Sequence, residues 1–137
     1  MKIIFTIIFL AFSFLSFAQL SKKTETAIRI VNRNFKTYTS SKENSISWKT
    51  KQEMRNALTQ LQQSVNNKDL PLLVNVWMYY DPTDFPTRDL VEPIFKDHKT
   101  AALIAISNRL DHKKEWEAID KAPYSDLVAL KKELLKQ

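Results

Sequence analysis

The sequence predicts an all-α fold, a compact bundle of about five to six orthogonal or stacked helices that follows an N-terminal signal peptide. The first observation is that the 137 residues contain no Gly, which the tight type I′ and II′ hairpins of a sheet favour. The second is that apolar residues recur at three- and four-residue steps, as on one face of a helix. The third is that only one segment has a strand-like composition, so a strand there would find no partner for its backbone groups.

The N-terminus predicts export. Lys2 precedes the apolar run Ile3–Phe17, and Ala18, with Ser16 two positions before it, forms an A-x-A-like cleavage site. We therefore assign residues 1–18 to a signal peptide and residues 19–137 to a single all-helical domain, periplasmic or secreted. The run is shorter than the roughly 20 residues of a membrane span, although an uncleaved anchor is the alternative. Removing 18 of the 137 residues leaves 119, which is enough for one domain.

The composition excludes whole classes of site. The absence of Cys removes disulfides, thiolate chemistry and Cys-based metal sites. The absence of Gly argues against Walker-A loops, dinucleotide fingerprints, EF-hand loops and the nucleophile elbow. The formal charge is +6, one less without Lys2, and the basic residues are scattered among acidic ones, so nucleic acid is not expected as a partner. The sequence predicts no cofactor and no metal, while a protein, a peptide, an anionic glycan or a lipid surface stays open.

Two amphipathic helices are predicted in the first half. The first spans residues 24–38, with an apolar face of Ala27, Ile28, Val31, Phe35 and Tyr38. A polar loop follows at Thr39–Ser47. Thr50 and Glu53 have the spacing of a capping box and are expected to begin the second helix. Trp48, just before that start, is expected to fold back onto the core.

The third helix is predicted to be the centre of the fold. Asp69 is expected to cap it, with Pro71 in its first turn, where the missing N–H costs little. Its body, Leu72–Tyr80, is apolar on nearly every side. The same composition would suit a buried strand, but the lack of a pairing partner favours a buried helix.

Three further helices and a charged arm complete the prediction. Thr87 or Asp84 is expected to begin a fourth helix kinked by Pro93, and a fifth follows over residues 101–110. The arm Asp111–Lys121 is either a short helix or an ordered segment, with Trp116 as its main apolar anchor. A last helix opens at Pro123 and Ser125. Its expected inward-facing residues are Leu127, Leu130, Leu134 and, as a further candidate, Leu135.

The loop Tyr79–Asp89 is the strongest candidate for function, because large aromatic residues stand beside acidic ones. Asp81, Asp84 and Asp89 could bind Ca²⁺ through oxygen atoms, but they also suit ordinary turns and caps. Asp81 with Asp84 could act as the acid and base of a glycan hydrolase. His98 and His112 match no ligand motif and are expected at the surface. We assign no catalytic residue, and the candidate partner-binding residues are Tyr79, Tyr80, Asp81, Asp84, Phe85, Arg88 and Trp116.

The segment Asp84-Phe-Pro-Thr-Arg-Asp-Leu-Val resembles the turn between the two helices of a HEAT-type repeat, where Asp, Pro and Arg precede an apolar second helix. The resemblance covers Asp69–Leu110, but Pro93 interrupts the second helix and the motif has no second copy. It implies a compact stack of helical hairpins rather than a long solenoid. Folds of this class bind proteins or peptides through their exposed faces.

The leading functional hypothesis is a non-enzymatic binding module in the cell envelope or outside the cell. An immunity or inhibitor protein that neutralises a toxin or hydrolase is the first alternative, because the size and the compartment fit. A small glycan hydrolase that uses Asp81 and Asp84 is the second.

Overall fold

A computed structural model describes residues 2–40, 47–80 and 86–137, with side chains from Phe17 onward. Every regular element in these ranges is helical, which confirms the all-α class. The elements are α1 (Lys2–Ser40), α2 (Trp48–Leu61), a 3₁₀ turn (Asn67–Asp69), α3 (Leu70–Tyr79), α4 (Arg88–Asp97), α5 (Lys99–Asp111), α6 (Lys113–Trp116) and α7 (Tyr124–Lys136). The seven α-helices in these ranges exceed the predicted five to six, because the charged arm contains the short α6.

Helix α3 is buried on nearly all sides, as predicted for a central helix. Pro71 lies in its first turn, and the strand alternative for this segment is wrong. Five of its residues are fully inaccessible to solvent: Leu70, Leu73, Val74, Val76 and Met78. The helix contacts α5 most extensively and also packs against α4. Burial of so many large side chains on one ten-residue helix makes α3 the principal source of apolar stabilisation per residue.

Helices α1 and α2 form the most extensive helix pair in the fold. The predicted face of α1 is buried at Ala27, Val31, Phe35 and Tyr38, while Ile28 is half-buried. Helix α1 extends further toward the N-terminus than the predicted 24–38: it begins at Lys2 and continues without a break. Among the residues whose side chains are described, no helix is long and apolar enough to cross a membrane.

Two local predictions at the start of α2 are wrong, and one at the start of α3 is correct only in part. Helix α2 begins at Trp48, and its cap is Ser47, whose hydroxyl oxygen accepts a 3.2 Å hydrogen bond from the backbone N–H of Thr50. Trp48 is 77% exposed and does not fold back onto the core. Asp69 occupies the N-cap position of α3 as predicted, but its side chain makes no capping hydrogen bond to the helix.

The C-terminal half follows the prediction closely. Helix α4 continues through Pro93, and α5 follows after His98 alone. The arm between α6 and α7 attaches to α3, because the backbone N–H groups of Lys121 and Ala122 both donate to the carbonyl of Met78 at 3.2 Å. The last four carbonyls of a helix lack partners within it, so the arm satisfies one of them.

Two neighbouring leucines of α7 lie in opposite environments, so their substitution tests the packing of this helix. Leu134 is 0% exposed, whereas Leu135 is 60% exposed and does not face inward as the sequence suggested. We expect Leu134→Ala to lower the free energy of unfolding by about 2–5 kcal/mol, because it removes buried methyl groups and leaves a cavity. Leu135→Ala should change it by less than about 0.5 kcal/mol. Urea denaturation followed by circular dichroism measures both, and equal losses would contradict the described orientation of α7.

Candidate functional site

The aromatic end of the predicted binding loop belongs to the core. Tyr79 is 7% exposed and Tyr80 is 2% exposed. The Tyr80 ring stacks on Tyr38 with centroids 4.5 Å apart, and Tyr79 meets Phe35 and Tyr38 edge to face. The Tyr79 hydroxyl donates to the backbone carbonyl of Tyr38 at 3.2 Å. These rings therefore pack the C-terminal end of α3 against the C-terminal end of α1. They leave little exposed aromatic area for a partner to contact.

Burial also keeps both phenols neutral. It raises the pKa of Tyr79 above its ordinary value. It raises the pKa of Tyr80 further, and the neighbouring phenols of Tyr38 and Tyr79 add to that effect. A phenol with a raised pKa stays protonated and is a poor general base at neutral pH.

Arg88 is partly buried against α3. Its guanidinium lies 3.8 Å from the centroid of the Trp77 ring, and its Nη1 donates to a carboxylate oxygen of Asp126 at 3.0 Å. The Trp77 indole N–H donates to Glu92 at 3.1 Å. Within the described residues, Nε and Nη2 of Arg88 have no hydrogen-bond partner. The arrangement joins α3, α4 and α7, so Arg88 has a packing role beside any contact that it makes with a partner.

Trp116 anchors the charged arm through Arg109. The guanidinium of Arg109 lies 4.9 Å from the centroid of the Trp116 ring, and Trp116 packs against the core. Arg109 is only 6% exposed. Its Nε donates to Asn75 at 2.9 Å, Nη1 donates to the Tyr124 hydroxyl, and Nη2 donates to Asp120. Each guanidinium nitrogen is engaged within the protein, which makes this cluster a structural joint between α3, α5, the arm and α7.

The acidic residues of the predicted loop, Asp81 and Asp84, lie outside the described residues, as does Phe85. Their roles as partner contacts, Ca²⁺ ligands or a hydrolase pair stay predictions. Asp89 is exposed and pairs with Arg55 of α2 at 3.1 Å. Among the described residues, no group of three or more His, Asp or Glu side chains is close enough to hold a metal ion.

A groove between α1 and α2 forms an open concave surface with a volume of about 580 Å³. Its floor consists of Ala27 and Ala57, which are nearly inaccessible to solvent. The side chain at both positions is only a methyl group, so neither residue fills the space above it. Its lining residues are Gln19, Lys22, Lys23, Thr26, Ala27, Ile30, Glu53, Asn56, Ala57 and Gln60. Most of the solvent-accessible surface of the groove is apolar, although many of these residues are polar, because their methylene and methyl groups form the walls.

The two edges of the groove differ in charge. Lys22 and Lys23 lie on the α1 edge and are exposed, without an ion-pair partner among the described residues. Glu53 lies on the α2 edge, where Arg33 of α1 pairs with it at 3.4 Å. The carboxylate is therefore already balanced, and the available charge at the rim is positive.

Sequence reasoning missed this groove. Ala27 was assigned to the apolar face of the first helix, and that assignment is correct; Ala57 of the second helix is buried as well. The missing step is that small residues of two helices line one groove. Whether they do so depends on which turns of α1 and α2 lie side by side, which helical periodicity does not specify.

No family model matches the chain, and no match is found among curated proteins or solved structures. The resemblance to a HEAT-type turn therefore stays a prediction from the residues alone.

The buried pair of Arg109 and Asp120 gives a testable prediction. Their side chains are 5% and 4% exposed. Asp120→Ala should lower the free energy of unfolding by about 3–5 kcal/mol, because it leaves a buried guanidinium without its counter-charge. Adding Arg109→Met should recover part of that loss. A double-mutant cycle in urea measures the coupling, and strictly additive effects would show that the two charges do not stabilise one another.

Tyr124 gives a prediction for alkaline pH. Burial, followed by the neighbouring Asp120, raises the pKa of its phenol to about 12. In the unfolded chain the phenol ionises near its ordinary pKa of about 10. A raised folded pKa adds stability that is complete below pH 10 or so and is lost as the pH rises toward about 12. Between those values, the free energy of unfolding should fall less steeply for Tyr124→Phe than for the unchanged protein, as measured by urea denaturation at several pH values. Parallel slopes would contradict the assignment.

Proposed function

We propose that the protein is a small exported helical module that binds an acidic helical segment of another protein in the groove between α1 and α2. The observation that carries this proposal is the groove itself, an open, mainly apolar depression with a buried floor and a positive rim. Export is supported by the apolar run Ile3–Phe17 and the small residues at Ser16 and Ala18.

The dimensions of the groove suit a helix. Its α1 wall extends from Gln19 to Ile30, which corresponds to about 17 Å of helix at about 1.5 Å per residue. That length accommodates about three turns of a partner helix, whose apolar residues at three- and four-residue steps would lie over Ala27 and Ala57. Helices with such a face are bound by apolar grooves in several unrelated folds.

The positive charge at the rim of the groove favours a partner helix with acidic residues. Lys22 and Lys23 are available on one edge, and the carboxylate on the other edge is paired with Arg33. Acidic residues along one side of the partner helix would therefore meet the α1 edge. Complementary charge of this kind raises the rate of association and fixes the orientation of the bound segment.

The charged clusters among the described residues also support a binding role rather than a catalytic one. Arg109 and Asp120 are held by α3, the arm and α7, and Arg88 lies between Trp77 and Asp126. These are contacts that join helices. The loop Tyr79–Asp89 becomes a secondary candidate surface, since its tyrosines are in the core.

The groove can be blocked without changing the core. Thr26 and Asn56 line it and are exposed, so Thr26→Trp with Asn56→Trp should fill it. We expect recovery of the bound partner from the envelope fraction to fall about thirtyfold or more, as when an interface hot spot is lost. The measurement is quantitative affinity capture with the immobilised protein, accompanied by circular dichroism and a melting curve.

Matched controls separate the groove from general surface effects. Asn32 is exposed and lies on another side of α1, so Asn32→Trp should leave capture unchanged. Lys22→Glu with Lys23→Glu should weaken capture, whereas Lys36→Glu with Lys68→Glu changes charge equally and should weaken it much less. Equal loss in the groove and control variants, or full capture by the blocked groove, would refute the proposal.

A further inference from the structure

A second surface lies across α5 and α7, far along the chain from the α1–α2 groove. Large aliphatic side chains are exposed there: Ile104 is 59% exposed, Val128 38% and Leu135 60%. Ile104 and Leu135 line one shallow depression together with Leu103 and Lys131. Val128 is seven residues before Leu135 and therefore lies on the same side of α7, two turns away. We call this set, Leu103, Ile104, Val128, Lys131 and Leu135, the α5–α7 patch.

Lysines border the patch on α7. Lys131 lines the depression, and Lys132 and Lys136 are exposed beside it. The described carboxylates of α7 are directed elsewhere. Asp126 pairs with Arg88 at 3.0 Å, and Glu133 lies two residues before Leu135, on roughly the opposite side of the helix. The patch therefore combines exposed aliphatic side chains with three lysines of α7, while the one nearby carboxylate of α5, Asp111, lies two turns after Ile104 at the end of that helix.

We propose that the α5–α7 patch adsorbs onto an anionic lipid surface. Helices that bind at the membrane interface place aliphatic or aromatic side chains in the headgroup region and lysines beside them, where they meet anionic headgroups. The ammonium group of such a lysine reaches the headgroups, while its methylene chain stays among apolar groups.

The composition and shape of the patch favour lipid over another protein. Protein interfaces are enriched in aromatic residues and Arg and are depleted of Lys, and the patch contains neither an aromatic residue nor Arg. A second copy of this chain would place Lys131, Lys132 and Lys136 against the same three lysines, which repel one another. Ile104 and Leu135 are both more than half exposed at a shallow surface, which a planar lipid surface can cover more readily than the deeper α1–α2 groove.

The absence of Cys from the sequence permits a site-resolved test. A single cysteine is introduced by Ile104→Cys or Leu135→Cys in the full chain and labelled with an environment-sensitive fluorophore. Vesicles of phosphatidylcholine, with or without phosphatidylglycerol, are then added. We expect a blue shift and increased intensity at both positions with the anionic vesicles only. The same label at the exposed Lys68→Cys should show no shift, because the 3₁₀ turn lies outside the patch.

The label reports its own position, so adsorption of the chain through Ile3–Phe17 alone gives no signal at Ile104 or Leu135. Changing Lys131, Lys132 and Lys136 to Gln should weaken the anionic-vesicle response about tenfold or more, and Lys68→Gln with Lys96→Gln and Lys114→Gln should weaken it much less. Added salt should also weaken it. No shift at Ile104 or Leu135, an equal shift with neutral vesicles, or an unchanged response of the triple α7 variant would each overturn the proposal.

Discussion

The central constraint on this fold is that α3 is buried on nearly every side, so each neighbouring segment must attach to it without leaving polar groups unsatisfied. Most of these attachments are hydrogen bonds made within little more than one turn of the helix, while Nε and Nη2 of Arg88, which lies against Trp77, have no partner among the described residues. Four consecutive or nearly consecutive positions each bind a different segment: Asn75 accepts from Arg109 of α5, Trp77 donates to Glu92 of α4, the Met78 carbonyl accepts from the arm, and Tyr79 donates to the carbonyl of Tyr38 in α1.

This arrangement explains why the most conspicuous residues of the sequence are structural. Tyr79, Tyr80 and Trp77 stand together because the exit of α3 contacts α1 and α4 at once. The surfaces that suit binding lie elsewhere. One is the groove that alanines of α1 and α2 line, and the other forms where α5 and α7 expose aliphatic residues beside lysines. Both depend on residues that are ordinary in sequence and become distinctive only when two helices are placed side by side.

The sequence predicts most of the fold, because periodicity records which face of each helix is buried. The stripe of α1, the burial of α3 and the inward leucines of α7 were all predicted correctly. Trp48 and Leu135 were misplaced, since a large apolar residue at a helix end or at the edge of a stripe is not assigned to the core by spacing alone. The α1–α2 groove could not be predicted, because it depends on the register between two helices. Asp81 and Asp84 lie outside the described residues, so the roles predicted for them stay predictions.

Site-specific photo-crosslinking in the native envelope tests the binding proposal most directly. A photoreactive amino acid is placed at Thr26, inside the α1–α2 groove, and in a separate protein at Asn32, which is exposed on another side of the same helix. A binding module of the proposed kind gives one discrete protein adduct from Thr26, with its crosslinked residue in an acidic helical segment, and none from Asn32. An adduct from Asn32 alone, or no adduct from Thr26, would contradict it.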